Sequence, residues 1–276
     1  LNDATHPPIF FASDLHLGAP SAALSRERER LFVRWLEEVA SLGREIHLVG
    51  DSLDFWFEWK HVVPRGHVRL FGAIAALVDS GTPVHWHLGN HDLWSFGYLE
   101  QELGVTLHRE PVELELFGER WLVGHGDGLG PHDRRYKRLK RVFTNPLAQW
   151  SFARLHPNLA CALAQRWSRS SRIHNAAQDG SFNGIENEWL FQYVQDQFST
   201  GAHDGYIFGH RHLPLDVKLH ADGSHTLIHP PSDSHTSPKA PTAAVQSTRY
   251  INTGEWLHRP SYVRFGPEGP ALLQYS

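Results

Sequence analysis

Five stretches of the chain carry groups that hold cations or move protons, and each follows an apolar run. Asp14-Leu15-His16 closes the first. Gly50-Asp51, with Asp54 just beyond, closes the second. Gly89-Asn90-His91-Asp92, Gly124-His125-Gly126-Asp127 and Gly209-His210-Arg211-His212 close the other three. Asp, His and Asn without Cys suit borderline or hard divalent ions such as Mn2+, Fe2+ or Zn2+. Asp14 and His16 could give one ion two ligands from one turn, and His210 and His212 could do the same. Asp51 could bridge two ions, with Asn90 and His125 completing the shell of the second. Two metal ions ~3.5–4 Å apart clamp a phosphoryl group and supply a hydroxide nucleophile. With 21 histidines in the chain, any one of them near a strand end is more readily structural than a ligand, so the ordered set carries the reading.

The elements that must position these residues alternate between strand and helix. Residues 8–13, 45–50, 82–89 and 205–210 are short apolar strands. Residues 25–43 have helical spacing at Leu31, Trp35, Val39 and Leu42 and stop at a Gly, and residues 67–81 and 98–104 also read as helices. Residues 112–125 alternate about Phe117-Gly118 as a hairpin, and residues 215–276 hold several short strand-like runs. This order predicts an α/β layered sandwich. In such sheets ligand sites lie beyond the carboxyl ends of the strands, so the five polar turns are expected to converge.

Residues 131–200 differ in composition. Six of the nine residues in 133–141 are basic, and 145–172 is rich in Leu, Ala and Trp. Two or three helices inserted into the sandwich are expected. The plainest reading of them is a helical subdomain with a solvated basic face. The core is then 1–130 and 201–276, and 131–200 is a cap. Residues 229–247, rich in Pro, Ser and Thr, read as a mobile loop.

Bulk composition sets limits. The 276 residues suffice for one large α/β domain or two small ones, and the net charge of −4 argues against general nucleic-acid binding. A single cysteine, Cys161, excludes an internal disulfide and a Cys-rich zinc site, and fits a reducing compartment. Residues 1–14 do not read as a secretory leader, and no apolar stretch approaches the ~20 residues that span a bilayer.

The ordered motifs D-x-H, G-D-x-x-D, G-N-H-D, G-H and G-H-x-H, from residue 14 to residue 212, resemble the calcineurin-like metallophosphoesterase superfamily. The resemblance implies a four-layer αββα sandwich. It implies that Asp14, His16, Asp51 and His212 bind one metal, and that Asp51, Asn90, His125 and His210 bind the other. His91 would sit beside the phosphate as general acid or transition-state donor, and Asp92 would orient His91 through a hydrogen bond.

Residues 50–59, 125–150, 167–172 and 250–256 look like the UDP-2,3-diacylglucosamine pyrophosphatase (hydrolase) family of lipid A biosynthesis, in its G-N-H-D branch. That resemblance implies Mn2+ as the metal. It implies hydrolysis of the nucleotide-linked diacyl sugar to UMP and the acylated sugar 1-phosphate, with water attacking the α-phosphorus. It places the enzyme peripherally on the cytoplasmic face of the inner membrane. By position, Asp133 and Tyr136 would touch the nucleotide sugar, and Arg169 and Arg172 the diphosphate or glucosamine. Cations suit a pyrophosphate, and an apolar cap suits acyl chains and an anionic membrane surface. The best-known members carry Arg where this chain has His91. A sugar phosphate leaves readily and needs charge stabilisation, whereas an alkoxide needs a proton that His can supply. Two other readings stand beside this one: a soluble phosphomono- or diesterase acting on small phosphate esters, and a scaffold of the same fold without catalysis.

Overall fold

Runs of consecutive apolar residues make interior strands. β1 (Ile9–Ala12) is buried at every position, and β2 (Glu45–Val49) and β3 (Val84–His87) are nearly so. A computed structural model describes residues 6–130, 134–179, 182–229 and 247–276, but not the side chains of 134–135 and 169–179. Residues 230–246, most of the expected loop, lie outside the described residues.

Two six-stranded sheets face one another. In the first, β1, β2, β3 and β4 (Thr106–His108) run parallel, flanked by antiparallel β11 (Ser261–Gly266) and β12 (Gly269–Gln274). In the second, β6 (Glu119–Gly124), β7 (Gly205–Phe208) and β10 (Ser247–Thr253) run parallel. Antiparallel β5 (Val112–Leu116) borders β6, and β8 (Pro214–His220) and β9 (His225–His229) complete the other side. Phe117 and Gly118 both have positive φ, as a tight hairpin turn between β5 and β6 requires.

The four layers follow from which face is apolar. Phe11, Val49, Trp121, Val123, Ile207, Ile251 and Val263 fill the space between the sheets. α1 (Ala22–Ala40), α2 (Val68–Asp79) and α3 (Tyr98–Leu103) cover the outer face of the first sheet through Phe32, Trp35, Leu36, Leu70, Ile74 and Leu99. Leu42, expected on that stripe, lies past the end of α1 and is 63% exposed. On the far side, α7 (Trp189–Phe198) packs Leu190, Phe191 and Val194 onto Tyr206, Phe208 and Tyr250 of the second sheet. α7 falls within residues 131–200, expected as inserted helices, but its burial makes it the outer layer of the sandwich.

α4 (Arg134–Phe143), α5 (Pro146–Phe152) and α6 (Pro157–Asp179) lie within the expected insertion. Asn145 caps α5 by accepting from the amides of Leu147 and Ala148. α2 has no side-chain cap of its own. Glu29, buried on α1, accepts from the amides of Arg69 and Leu70 instead, which locks the two helices together.

Candidate dimetal centre

The carboxyl ends of β1, β2, β3, β6 and β7 lie at one end of the facing sheets, and the five polar turns meet there. Asp14, His16 and His212 bring one ligand atom each within 4.8 Å of one another, and so do Asp51, His125 and His210. His16, Asp51 and His91 form a third such group, so the sets share His16 and Asp51. His16 Nε2 stands 3.7 Å from Asp51 Oδ2, and His125 Nε2 stands 3.3 Å from the same oxygen. Asn90 Oδ1 is 3.3 Å from His125 Nε2. Every residue expected to ligate a metal is therefore gathered around Asp51.

The backbone is bent to do this. Asp14, His16, Asp51, His210 and His212 all lie at positive φ, between 43° and 69°. Side chains adopt that region at a cost of order 1–3 kcal/mol each, and such conformations persist where surrounding contacts dictate them. The contacts are explicit. The amides of Asp14 and His16 donate to the carbonyls of Gly50 and Asp51, and the amide of His210 donates to Asp14 Oδ2. A Cβ on Gly89 would meet Asp51 Oδ1, and one on Gly209 would stand 2.6 Å from Asp14 Oδ2. Only glycine lets these turns approach so closely.

Second contacts set the direction of the rings. His125 Nδ1 donates to the Val49 carbonyl at 3.0 Å, which leaves Nε2 facing Asp51. His91 Nδ1 donates to the Asp54 carbonyl at 2.8 Å, so its Nε2 turns toward the centre, 3.9 Å from Asp51 Oδ2. Asp92 does not orient His91, contrary to expectation. Its carboxylate accepts from the amides of Gly89 and Ser52 and from Trp86 Nε1, and so clamps the turn after β3 to the turn after β2.

Asp14 and Asp51 are buried carboxylates, which are costly without compensating positive charge. Burial by itself pushes the Asp14 carboxyl up, but His212 and His16 outweigh it and hold it well below the usual range. Asp51 is lowered likewise, chiefly by His125 and His91 against the effect of burial. Burial opposes protonation of His16 and His125, yet their carboxylate neighbours push both up to about 10. Burial and the charge on His125 bring His210 down to about 4. Asp14 Oδ1 is buried with no hydrogen-bond partner, 3.1 Å from His212 Nε2 and 3.6 Å from His16 Nε2. An orphaned carboxylate oxygen among imidazole nitrogens fits a divalent cation, and so does the all N/O donor set.

Residues outside the expected set complete the surroundings. Ser168 on α6 donates to the Asp54 carboxylate, and its Oγ lies 3.3 Å from His91 Nδ1, which ties the helical region to the centre. Tyr136 donates to Asp127 Oδ2 at 2.8 Å, and Lys140 Nζ lies 2.9 Å from the same oxygen. Of the residues expected to touch substrate, Tyr136 is therefore beside the centre. Asp133, and the side chains of Arg169 and Arg172, lie outside the described residues. The sequence signals for Ser168 and Lys140 were no stronger than their place in a polar helix face, which does not reveal what the face meets.

Two cavities open from the centre. One, of about 260 Å³, runs from Asn90, His91 and Asp54 between Phe55, Trp94, Phe143, Phe152 and Trp167. The other, of about 380 Å³, runs from His125 and Asp127 past Arg109, Lys137, Lys140 and Arg141.

A two-sheet sandwich with these five turns at one end is the arrangement expected from the resemblance to calcineurin-like metallophosphoesterases. No family model matches the chain. It is 38% identical over 224 residues to the UDP-2,3-diacylglucosamine hydrolase of Porphyromonas gingivalis, covering 76% of this chain and 85% of that protein. It is 29% identical over 204 residues to the enzyme of the same name from Edwardsiella ictaluri, covering 74% and 75%. The chain belongs to the UDP-2,3-diacylglucosamine hydrolase family. Among solved structures, a dimetal phosphatase from Danio rerio overlaps 98% of this chain and 100% of its own, at 13% identity and a TM-score of 0.39, too low to add to that assignment.

Proposed function

We propose that the chain hydrolyses UDP-2,3-diacylglucosamine to UMP and 2,3-diacylglucosamine 1-phosphate, with two Mn2+ ions, in the pathway to lipid A. The observation that carries this reading is the pairing of the two cavities. An aromatic channel suited to an acyl chain starts at His91 and Asn90, and a cation-lined channel suited to a nucleotide diphosphate starts at His125, whose Nε2 is 3.3 Å from Asn90 Oδ1. The names of the relatives give the same substrate.

Asp14, His16, Asp51 and His212 would hold one ion, and Asp51, Asn90, His125 and His210 the other. When bound, such a pair lowers the pKa of water and neutralises phosphoryl oxygens. The chain's own residues do the rest. His91, held by the bond from Nδ1 to the Asp54 carbonyl, would face the phosphoryl group through Nε2 and, once that nitrogen carries a proton, donate it to an oxygen that gains charge. Tyr136 and Lys140 position the nucleotide side through Asp127. Helices α4, α5 and α6 act as the cap.

The cap also suits a membrane surface. Val142, Leu147, Trp150, Leu159, Leu163 and Trp167 are half or more exposed or nearly so, beside the basic residues of α4. Among the described residues no helix is long and apolar enough to cross a membrane. The reading therefore places the protein peripherally on the cytoplasmic face of the inner membrane, where an amphiphilic substrate resides.

The test is hydrolysis in 18O-labelled water with the diacyl substrate and with unacylated UDP-glucosamine. The expected result is label in UMP and a strong preference for the diacylated form. Label in the sugar phosphate would overturn attack at the α-phosphorus. Equal turnover of both substrates would favour a soluble phosphoesterase.

A further inference from the structure

We infer that Glu45, His47 and His85 form a second, separate metal site, which takes one zinc-class divalent ion at the amino-terminal side of β2 and β3. The register of the first sheet builds it. Glu45 and His47 are two apart on β2 and share a face, and His85 on β3 is paired directly with His47. One ligand atom from each lies within 4.8 Å of the others. His47, its ligand nearest the centre along β2, is four positions before Asp51, roughly 13 Å at the rise of a strand, so the site is distinct from the dimetal centre.

The chemistry of the donors points to a transition ion. His47 is fully buried, and its Nε2 has no hydrogen-bond partner. That nitrogen is directed to Glu45 Oε1, 3.7 Å away and too far for a hydrogen bond. The other nitrogen, Nδ1, is 3.1 Å from His87 Nε2. A metal-bound imidazole characteristically donates its second N–H to a neighbouring acceptor, and His87 is placed to accept it. The rings of His47 and His85 stack at 4.3 Å and 5°, and His85 Nδ1 lies 2.9 Å from His108 Nε2, so taking an ion requires the partly exposed His85 ring to turn out of the stack until its free nitrogen lies in line with Nε2 of the fixed His47. Phe11 closes the other face of His47 at 4.7 Å. Two imidazoles and one carboxylate form a set that suits Zn2+ and leaves a position open. Glu45 and His85 are partly exposed, which gives the ion a route in. Arg44 Nε stands 4.0 Å from Glu45 Oε1 on the solvent side, and its exposed guanidinium can swing aside.

The role that fits is a clip between β2 and β3, the two strands that carry Asp51 and Asn90 to the centre. An ion that binds only the folded chain stabilises it by mass action.

The untagged full chain, as wild type, as Glu45→Gln/His85→Gln and as Asp51→Asn, is dialysed against Zn2+ and the bound zinc counted by mass spectrometry. Thermal unfolding and hydrolysis are followed in parallel. Both substituted positions in the double variant are partly exposed, so the fold is expected to survive. The expected result is one zinc fewer per chain in the double variant than in wild type, a smaller rise in Tm with Zn2+, and unchanged hydrolysis. Asp51→Asn is expected to lose hydrolysis and keep the ion at Glu45, His47 and His85. Equal zinc counts in wild type and the double variant would overturn the site. So would a double variant that loses zinc and hydrolysis together, because the lost ion would then belong to the dimetal centre.

Discussion

The Arg211 guanidinium, between His210 and His212 in the chain, forms a buried two-point ion pair with Glu188, Nε to Oε2 at 2.7 Å and Nη2 to Oε1 at 2.9 Å. Both side chains are almost fully buried, and the indole of Trp189 lies 4.2 Å beneath the guanidinium. The turn that carries two expected metal ligands is thereby bolted to the start of α7. Removing one partner of such a pair costs about 3–5 kcal/mol, because the other charge is left buried alone. Glu188→Gln is expected to lower Tm and metal content together, as read by calorimetry and metal counting. The paired change Arg211→Met with Glu188→Leu is expected to recover most of the Tm.

Asp51 is the residue on which both halves of the centre depend. Asp51→Asn is expected to lower kcat by at least about 10²–10³-fold, the scale for loss of a principal electrostatic group in an active site. Metal counting should show both centre ions depleted. A variant that keeps its rate would remove the dimetal reading altogether.

His91 separates two kinds of chemistry. His91→Arg puts a permanent cation beside the phosphoryl group, where burial holds the His91 pKa below its usual value, and that cation gives up no proton near neutral pH. It is expected to keep much of the anhydride activity and to lose activity on simple phosphomonoesters. His91→Ala is expected to lose about 10²–10⁴-fold on either substrate. Parallel kcat/KM measurements on the two substrate classes decide between these outcomes.

The aromatic cavity makes a separate demand. Phe143→Ser removes one wall, 5.2 Å by ring centroids from Trp94 and 4.9 Å from Trp167. Loss of part of a buried phenyl contact is worth about 1–2 kcal/mol, or on the order of tenfold in KM for the diacylated substrate. Turnover of unacylated UDP-glucosamine is expected to be unchanged.

His67 stands at the start of α2 with a φ of 59°, and burial holds its pKa below the usual value against Glu29 and Asp54. The unfolded chain takes up this proton more readily than the folded one. The contribution of His67 is therefore present above pH ~6.5 and is lost as pH falls through the lowered folded value. His67→Asn tolerates the same left-handed backbone and does not titrate. Its Tm is expected to fall less steeply below pH 6.5 than that of wild type, as followed by circular dichroism.

Much of the fold was legible because its signals are local. The apolar runs at β1 and β3, the Gly stop after α1 and the Phe117-Gly118 turn each show within a few residues. The polar turns were legible for the same reason, since each occupies four or five consecutive positions. What escaped was non-local. Asp92 follows His91 directly, but its acceptors face Gly89, Ser52 and Trp86, and only the pairing of β2 with β3 decides that. α7 has helical periodicity wherever it lies, and only its packing onto Tyr206 and Phe208 makes it a layer of the core. The pair Arg211–Glu188 spans 23 positions, and no spacing rule announces it.

His16 and His212 approach to 3.1 Å although 196 residues separate them. The two sheets must therefore be assembled before Asp14, His16 and His212 exist as a group. Contacts of such long range form late and slowly during folding. A nascent chain emerging amino-terminus first can display Asp14 and Asp51 but cannot complete either expected ligand set until β7 has docked. Metal loading should accordingly be a closing event of biogenesis, so that chains arrested before β7 docks remain unmetallated and inactive.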